Sequence, residues 1–314
     1  MCPAPKTSQP IPTGFINLPV ITDWRELEAD AVIFGVPHGK PYQPTQFPNN
    51  QSLAPTALRE ASSRIIIDND VADTDLKRKN RLSEFRLVDG GDIPLSGKDV
   101  DQHYKQAEQA VRYAVKNGII PVSVGGDDGV TNPVLRGFDA YNDITVIQID
   151  AHLDWRDERY GEKDGYSSPM RRASELPFVS EIHQIGIRSF GSAYQSDIDD
   201  AQSWGAHIHY ARTIHEKGIQ SVIDTLPVGG NFFVTLDVDG LDPSIMPGTI
   251  ALAPGGLSWW DIDSLFRGLI HKGTIVGLNV VELAPKNDLS QLSMIGAGRL
   301  ILKLLMLQLS KSSS

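Results

Sequence analysis

The feature that most constrains this fold is a rhythm. Eight short runs, several apolar almost throughout, alternate with longer amphipathic stretches. The runs cover residues 30–35 (DAVIFG), 85–89, 119–124, 144–149, 181–187, 206–210, 231–236 and 274–280. Strands that are apolar on both faces belong inside a parallel sheet covered by helices. Helical patterns fall between them, at residues 55–63, 100–117, 213–226, 260–272 and 290–309. The first opens on Pro55, the second stops at Gly118, and Thr213 with Glu216 has the spacing of a capping box. The alternation predicts an α/β fold of three layers, α/β/α, around one parallel sheet of about eight strands. The start of the chain, MCPAPKTSQPIPTG, is polar and proline-rich. Residues 1–25 therefore read as a flexible arm and residues 26–314 as a single domain.

Composition narrows the partners. The formal net charge of −10 argues against nucleic acid and anionic membrane surfaces. Cys2 is the single cysteine, so no internal disulfide ties the chain to an oxidising compartment. No leader-like apolar segment opens the sequence, and LILKLLMLQL near its end is short, carries Lys303 and reads as a buried helix. A cytoplasmic location is the expectation.

In such sheets ligands bind beyond the carboxyl ends of the strands. The segments expected there are Pro37-His38-Gly39, Asp89-Gly90-Gly91-Asp92, Gly125-Gly126-Asp127-Asp128, Asp150-Ala151-His152-Leu153-Asp154 and the run from Asp237 to Asp242. Four of the five carry at least two acids, and clustered acids repel one another unless a cation sits among them. Alternate strand residues share a side, so Asp150, His152 and Asp154 point together, as do Asp237 and Asp239. Taken singly, an Asp-x-Asp after a strand serves a cap or a turn, and a lone histidine is an ordinary polar residue. Two such elements on two strand ends point instead to a metal site, and five ligands suit a pair of bridged ions. No Gly-x-Ser-x-Gly elbow occurs, and GAGRL at residues 296–300 lacks a dinucleotide fingerprint's third glycine and reads as helix packing.

With these stretches in view, the chain resembles the ureohydrolases: arginase, agmatinase and their relatives, and within them the agmatinase-like branch. The resemblance runs from about residue 30 to 307. It is carried in order by FGVP, APTALREAS, VDGGDIP, VSVGGDD, IDAHLD, SSPMRRA, IGIRS, LDVDGLDP, PGGL and NVVELAP. It implies hydrolysis of a C–N bond in a small guanidino compound (agmatine-, alkylguanidine- or biguanide-like) with two manganese ions, or nickel in some members. Asp150 and Asp237 would bridge the ions. His152 and Asp239 would complete one shell, and Asp154 would serve the other ion and the chemistry. Glu282 would hold the guanidinium, a planar cation whose N–H groups match a carboxylate.

The chain departs from the family pattern at several points. Asp128 stands where the family has a metal histidine, which favours harder ions. Tyr166 stands where a histidine is credited with moving protons, and an ordinary tyrosine pKa near 10 suits that task poorly. Ile250-Ala251-Leu252 replaces a smaller loop, and Asn279 stands where an aspartate is common. His38-Gly39-Lys40 lies where relatives commonly carry an acid. These changes put metal occupancy at two ions, one or none. They favour a non-catalytic or weakly active subunit in a trimer or hexamer with a catalytic paralogue. Heteromeric guanidine or biguanide hydrolases of the metformin hydrolase type combine competent and metal-deficient chains in this way. The alternatives are an active agmatinase-like amidinohydrolase with an altered dimetal site, and a guanidine-binding protein without turnover.

Overall fold

A computed structural model of the protein describes residues 14–40, 42, 50–65, 72–75, 78–79, 84–96 and 99–312. The eight apolar runs form one sheet: β1 (Ala31–Val36), β2 (Leu87–Asp92), β3 (Ile120–Gly125), β4 (Ile144–Ile149), β5 (Val179–Ile187), β6 (His207–Tyr210), β7 (Asn231–Asp237) and β8 (Thr274–Val281). Their order is β2-β1-β3-β8-β7-β4-β5-β6, with every pair parallel. A two-residue antiparallel pair, Ala72–Asp73 with Arg78–Lys79, stands apart from it.

Strand alternation supplies two cores. Ile147, Ile149, Val234 and Leu236 face α1 (Ala54–Ser62), α6 (Ala211–Lys217), α7 (Gln220–Ile223), α8 (Trp259–Lys272) and α9 (Leu292–Ser312). On the other face, Phe34, Val146 and Phe233 meet α2 (Val100–Lys116), α3 (Thr131–Arg136), α4 (Pro169–Ala173) and α5 (Gln195–Trp204). This is the expected α/β/α sandwich. By length and composition alone α9 could cross a membrane, but 78% of its apolar window is buried against the sheet. The apolar run that marks it, residues 300–309, is shorter than the helix because the first turns, with Ser293, Gly296, Gly298 and Arg299, read as less apolar. Gly296 and Gly298 lie within α9, against Met246 and Phe15, so GAGRL does serve helix packing.

Three local expectations need correction. Thr213 and Glu216 form no capping box: both lie inside α6, which begins at Ala211. Gly218, at φ 80°, ends α6, and a separate short α7 follows. A capping box does open α8, where Ser258 Oγ accepts from the Asp261 amide and the Asp261 carboxylate accepts from the Ser258 amide. Residues 14–25 are not a loose arm. Phe15 and Ile16 are buried, and their amides donate to Asp89 and to Ser62 Oγ. The remainder of the expected arm, Cys2 included, lies outside the described residues.

Candidate metal centre

Four neighbouring strands in the middle of the sheet, β3, β8, β7 and β4, deliver the acids at their carboxyl ends. The chain passes from β3 to β4 across the gap that β7 and β8 later fill, so the site lies where the two halves of the sheet diverge. Asp128 opens a one-turn helix after β3 and Glu282 follows β8. Asp237 closes β7, with Asp239 just beyond, and Asp150 to Asp154 follow β4.

Asp128, Asp150, Asp154, Asp237, Asp239 and Glu282, with His152, come to this place. Oxygen atoms of Asp128, Asp150 and Asp237 lie within 4.8 Å of one another, and so do ligand atoms of Asp150, His152 and Asp239. The two groups share Asp150. His152 Nδ1 is 3.4 Å from Asp150 Oδ1 and 3.2 Å from Asp239 Oδ2. Asp154 and Glu282 both carry positive φ, 49° and 64°. Non-glycine residues adopt that region at a cost, and functional sites are where such cost gathers. Beside these residues opens a cavity of about 310 Å³, lined among others by Asp127, Asp154, Tyr166, Ile250 and Glu282. Tyr166 is half-buried there, with its ring centroid 4.5 Å from that of Tyr42.

Burial and crowding govern the protons. Burial, then the neighbouring Asp239 charge, raises Asp150. Burial pushes Asp128, Asp154 and Asp237 well above the usual carboxylate range, and Asp127 to about 7. Burial, with Asp127 adding to it, brings Glu282 to about 8. Burial would lower His152, but Asp150 and Asp239 outweigh it and lift the imidazole to about 11. Each shift is relieved when a divalent cation replaces the extra protons, because the carboxylates then face positive charge instead of one another. The donor set, mostly oxygen with one imidazole, fits manganese better than nickel or zinc.

Several supporting residues were not legible as functional. Gln148, a polar break two residues before Asp150, donates from Nε2 to Asp150 Oδ2 at 2.7 Å and is itself held by Gln184. Gln51 donates to Glu282 Oε2 at 2.6 Å, and the Asp128 amide donates to Oε1 at 2.9 Å. A side chain at Gly39 would run into the Asp127 carboxylate, so that glycine makes room for it. Arg188, from the IGIRS stretch, donates to the carbonyls of Gly186, Asp239, Gly240, Leu241 and Ala253 and ties three loops behind the centre.

One expected segment stays away, and a second reaches the site only through Gly39. Asp89 and Asp92 belong to β2, and Arg59 binds them at 2.7 and 2.6 Å. The pair is neutralised by Arg59, and Asp89 also accepts from the Phe15 amide, so it serves packing rather than a ligand. His38 faces His103 across 5.6 Å, and Lys40 pairs with Asp101 at 2.7 Å.

A parallel sheet with buried acids and one imidazole at its central carboxyl edge defines a protein whose side chains could hold divalent metal. The comparisons make this specific. The arginase family model matches residues 29–307. Agmatinase of Bacillus subtilis (strain 168) is 28% identical over 288 residues, covering 90% of this chain and 93% of the relative. Guanidinopropionase of Pseudomonas aeruginosa is 32% identical over 239 residues, 73% of this chain and 74% of the relative. Among solved structures, proclavaminate amidino hydrolase from Streptomyces clavuligerus superposes with a TM-score of 0.83 at 26% identity, covering 97% of this chain and 99% of that one. This chain belongs to the arginase family.

Proposed function

We propose that this protein hydrolyses the C–N bond of a small guanidino compound, giving an amine and a urea, at a manganese-favouring centre richer in oxygen than the family pattern. The observation that carries this reading is the pair of ligand groups sharing Asp150 beside Glu282. Two divalent ions, when bound, would acidify a water and polarise the guanidinium carbon. Asp128, Asp150, Asp154, His152, Asp237 and Asp239 would hold them. The chain supplies the rest. Glu282, turned into the cavity and oriented by Gln51 and the Asp128 amide, accepts N–H bonds from the flat cation. Asp154 takes the proton released by the attacking water and returns it to the leaving amine.

Two departures from the family pattern support an intact centre. Asn279 Nδ2 donates to Thr131 Oγ1 at 2.7 Å, and Thr131 Oγ1 donates to Asp128 Oδ1 at 2.5 Å. Aspartate replaces histidine at one end of this chain of bonds, and asparagine replaces aspartate at the other. The formal charge of the pair is unchanged, as expected of a compensated swap rather than of decay.

One residue favours a second reading, a weakly active subunit of a hetero-oligomer. Burial pushes the Tyr166 hydroxyl above its ordinary value, so it relays protons poorly near neutrality.

The test is metal content after manganese loading, measured beside urea release from a panel of guanidino compounds. About two ions per chain with turnover is the expected result. Ions without turnover, with activity gained on co-expression with a histidine-complete paralogue, would favour the subunit reading. No ions and no turnover in either setting would defeat both.

A further inference from the structure

We infer a second metal site, for a borderline transition ion such as zinc, at the far edge of the sheet and formed by Glu181, His183 and His207. The residues that form it are separate from those of the proposed hydrolysis. His183 on β5 lies directly beside His207 on β6, the terminal strand, and Glu181 is two residues before His183 on the same strand face. One ligand atom from each of the three lies within 4.8 Å of the others. His183 Nε2 and Glu181 Oε2 are 3.2 Å apart. Around tetrahedral zinc, with bonds of about 2.0–2.1 Å, neighbouring ligand atoms sit about 3.3 Å apart, which Glu181 and His183 already match; the His183 and His207 rings, stacked 4.4 Å apart, would turn to converge on the ion.

The supporting residue is present too. His183 Nδ1 lies 3.2 Å from His209 Nε2. A ligating imidazole usually has its other nitrogen engaged in this way, which selects its tautomer. In the tautomer with the proton on Nδ1, donated to His209, the Nε2 lone pair faces the Glu181 carboxylate, as two ligands of one ion would.

The arrangement also has an entry. His183 is fully buried, Glu181 is part-exposed and His207 is exposed, so the three run from the core to solvent. Two imidazoles and one carboxylate leave a fourth position open and suit zinc, nickel or copper(II) rather than manganese. The edge would therefore bind a softer ion than the central acids.

The experiment uses the full chain, stripped of metal. Zinc is titrated by calorimetry with metal counting, and copper(II) at one equivalent is examined by electron paramagnetic resonance. The variants are His207→Ala and Glu181→Gln, with circular dichroism to confirm folding. Wild type should bind one zinc more than His207→Ala, and its copper spectrum should show two coupled imidazole nitrogens, falling to one in that variant. Glu181→Gln should weaken zinc at least tenfold and leave manganese-dependent hydrolysis unchanged. Equal zinc stoichiometry and identical copper spectra in all three proteins would overturn the site, leaving a ladder of hydrogen-bonded histidines. That result would not touch the hydrolase reading, which is judged by manganese and turnover.

Discussion

Two regions of this sheet gather titratable side chains and treat the proton in opposite ways. At the central carboxyl edge a single imidazole, His152, is set between Asp150 and Asp239 and is lifted to about 11. At the far edge three imidazoles stack beside one carboxylate. His183 falls to about 3 and His209 to about 4, chiefly through burial and with neighbouring histidines adding to it. The backbone is the same, parallel strands in register. The difference lies in the ratio of acid to imidazole, and it teaches that the sheet supplies positions while composition at those positions decides how they hold a proton.

The largest expected effect separates the two regions outright. Asp150→Asn removes the residue both central groups share. It should lower manganese-dependent hydrolysis by more than about 1,000-fold, beyond the 10–100-fold usual for a residue that only supports a ligand. His207→Ala should leave that hydrolysis within about twofold of wild type. Steady-state assays at saturating manganese read both, and similar losses in the two variants would break the contrast.

A third acidic segment serves as a control. Asp89 is as buried as Asp150, but its charge is met by Arg59 rather than by an awaited ion. Arg59→Ala should destabilise the protein by about 3–5 kcal/mol, the cost of a buried charge left alone. Urea denaturation with and without manganese measures this, and manganese should not restore the loss.

Thr131→Val cuts the link between Asn279 and Asp128 without changing side-chain volume much. Manganese affinity should fall about 10–100-fold, while zinc binding at the histidine edge stays as it was. Unchanged manganese affinity would show that the Asp128 and Asn279 departures are unrelated.

The pH dependence of the metal-free chain should carry both signs. Raised groups, Glu282 at about 8 and His152 at about 11, stabilise the fold below their unfolded values and lose that contribution as pH rises through the folded ones. Lowered groups, His183 and His209, weaken the fold as pH falls from their ordinary 6.5 toward 3–4. Urea midpoints against pH should therefore fall on both sides, and manganese should flatten the alkaline limb alone. The smallest effect is expected at Tyr166. Tyr166→Phe should change turnover less than about threefold, whereas Tyr166→His should raise it near neutral pH.

Much of this was open to sequence reading. The eight strands appear as apolar runs because burial on both faces is a local requirement on each segment. Asp150, His152, Asp154, Asp237 and Asp239 were legible because strand periodicity sends alternate residues the same way. The failures have equally physical causes. VDGGDIP looks like VSVGGDD, yet Arg59 neutralises its acids, and nothing in either stretch says which strand sits in the middle. Thr213 has a capping spacing, but Gly218 breaks the helix it was meant to begin.

What the sequence determined by itself was the class of fold and the acids and imidazole that gather at its central edge, since both follow from short-range pattern. Tertiary structure alone decided which strand ends are neighbours. It set Glu282 against the Asp128 amide across 154 residues and Asn279 against Thr131 across 148. It also brought His183 beside His207 at an edge no motif had marked. Strand order arises from packing of the whole sheet, and no single segment carries it.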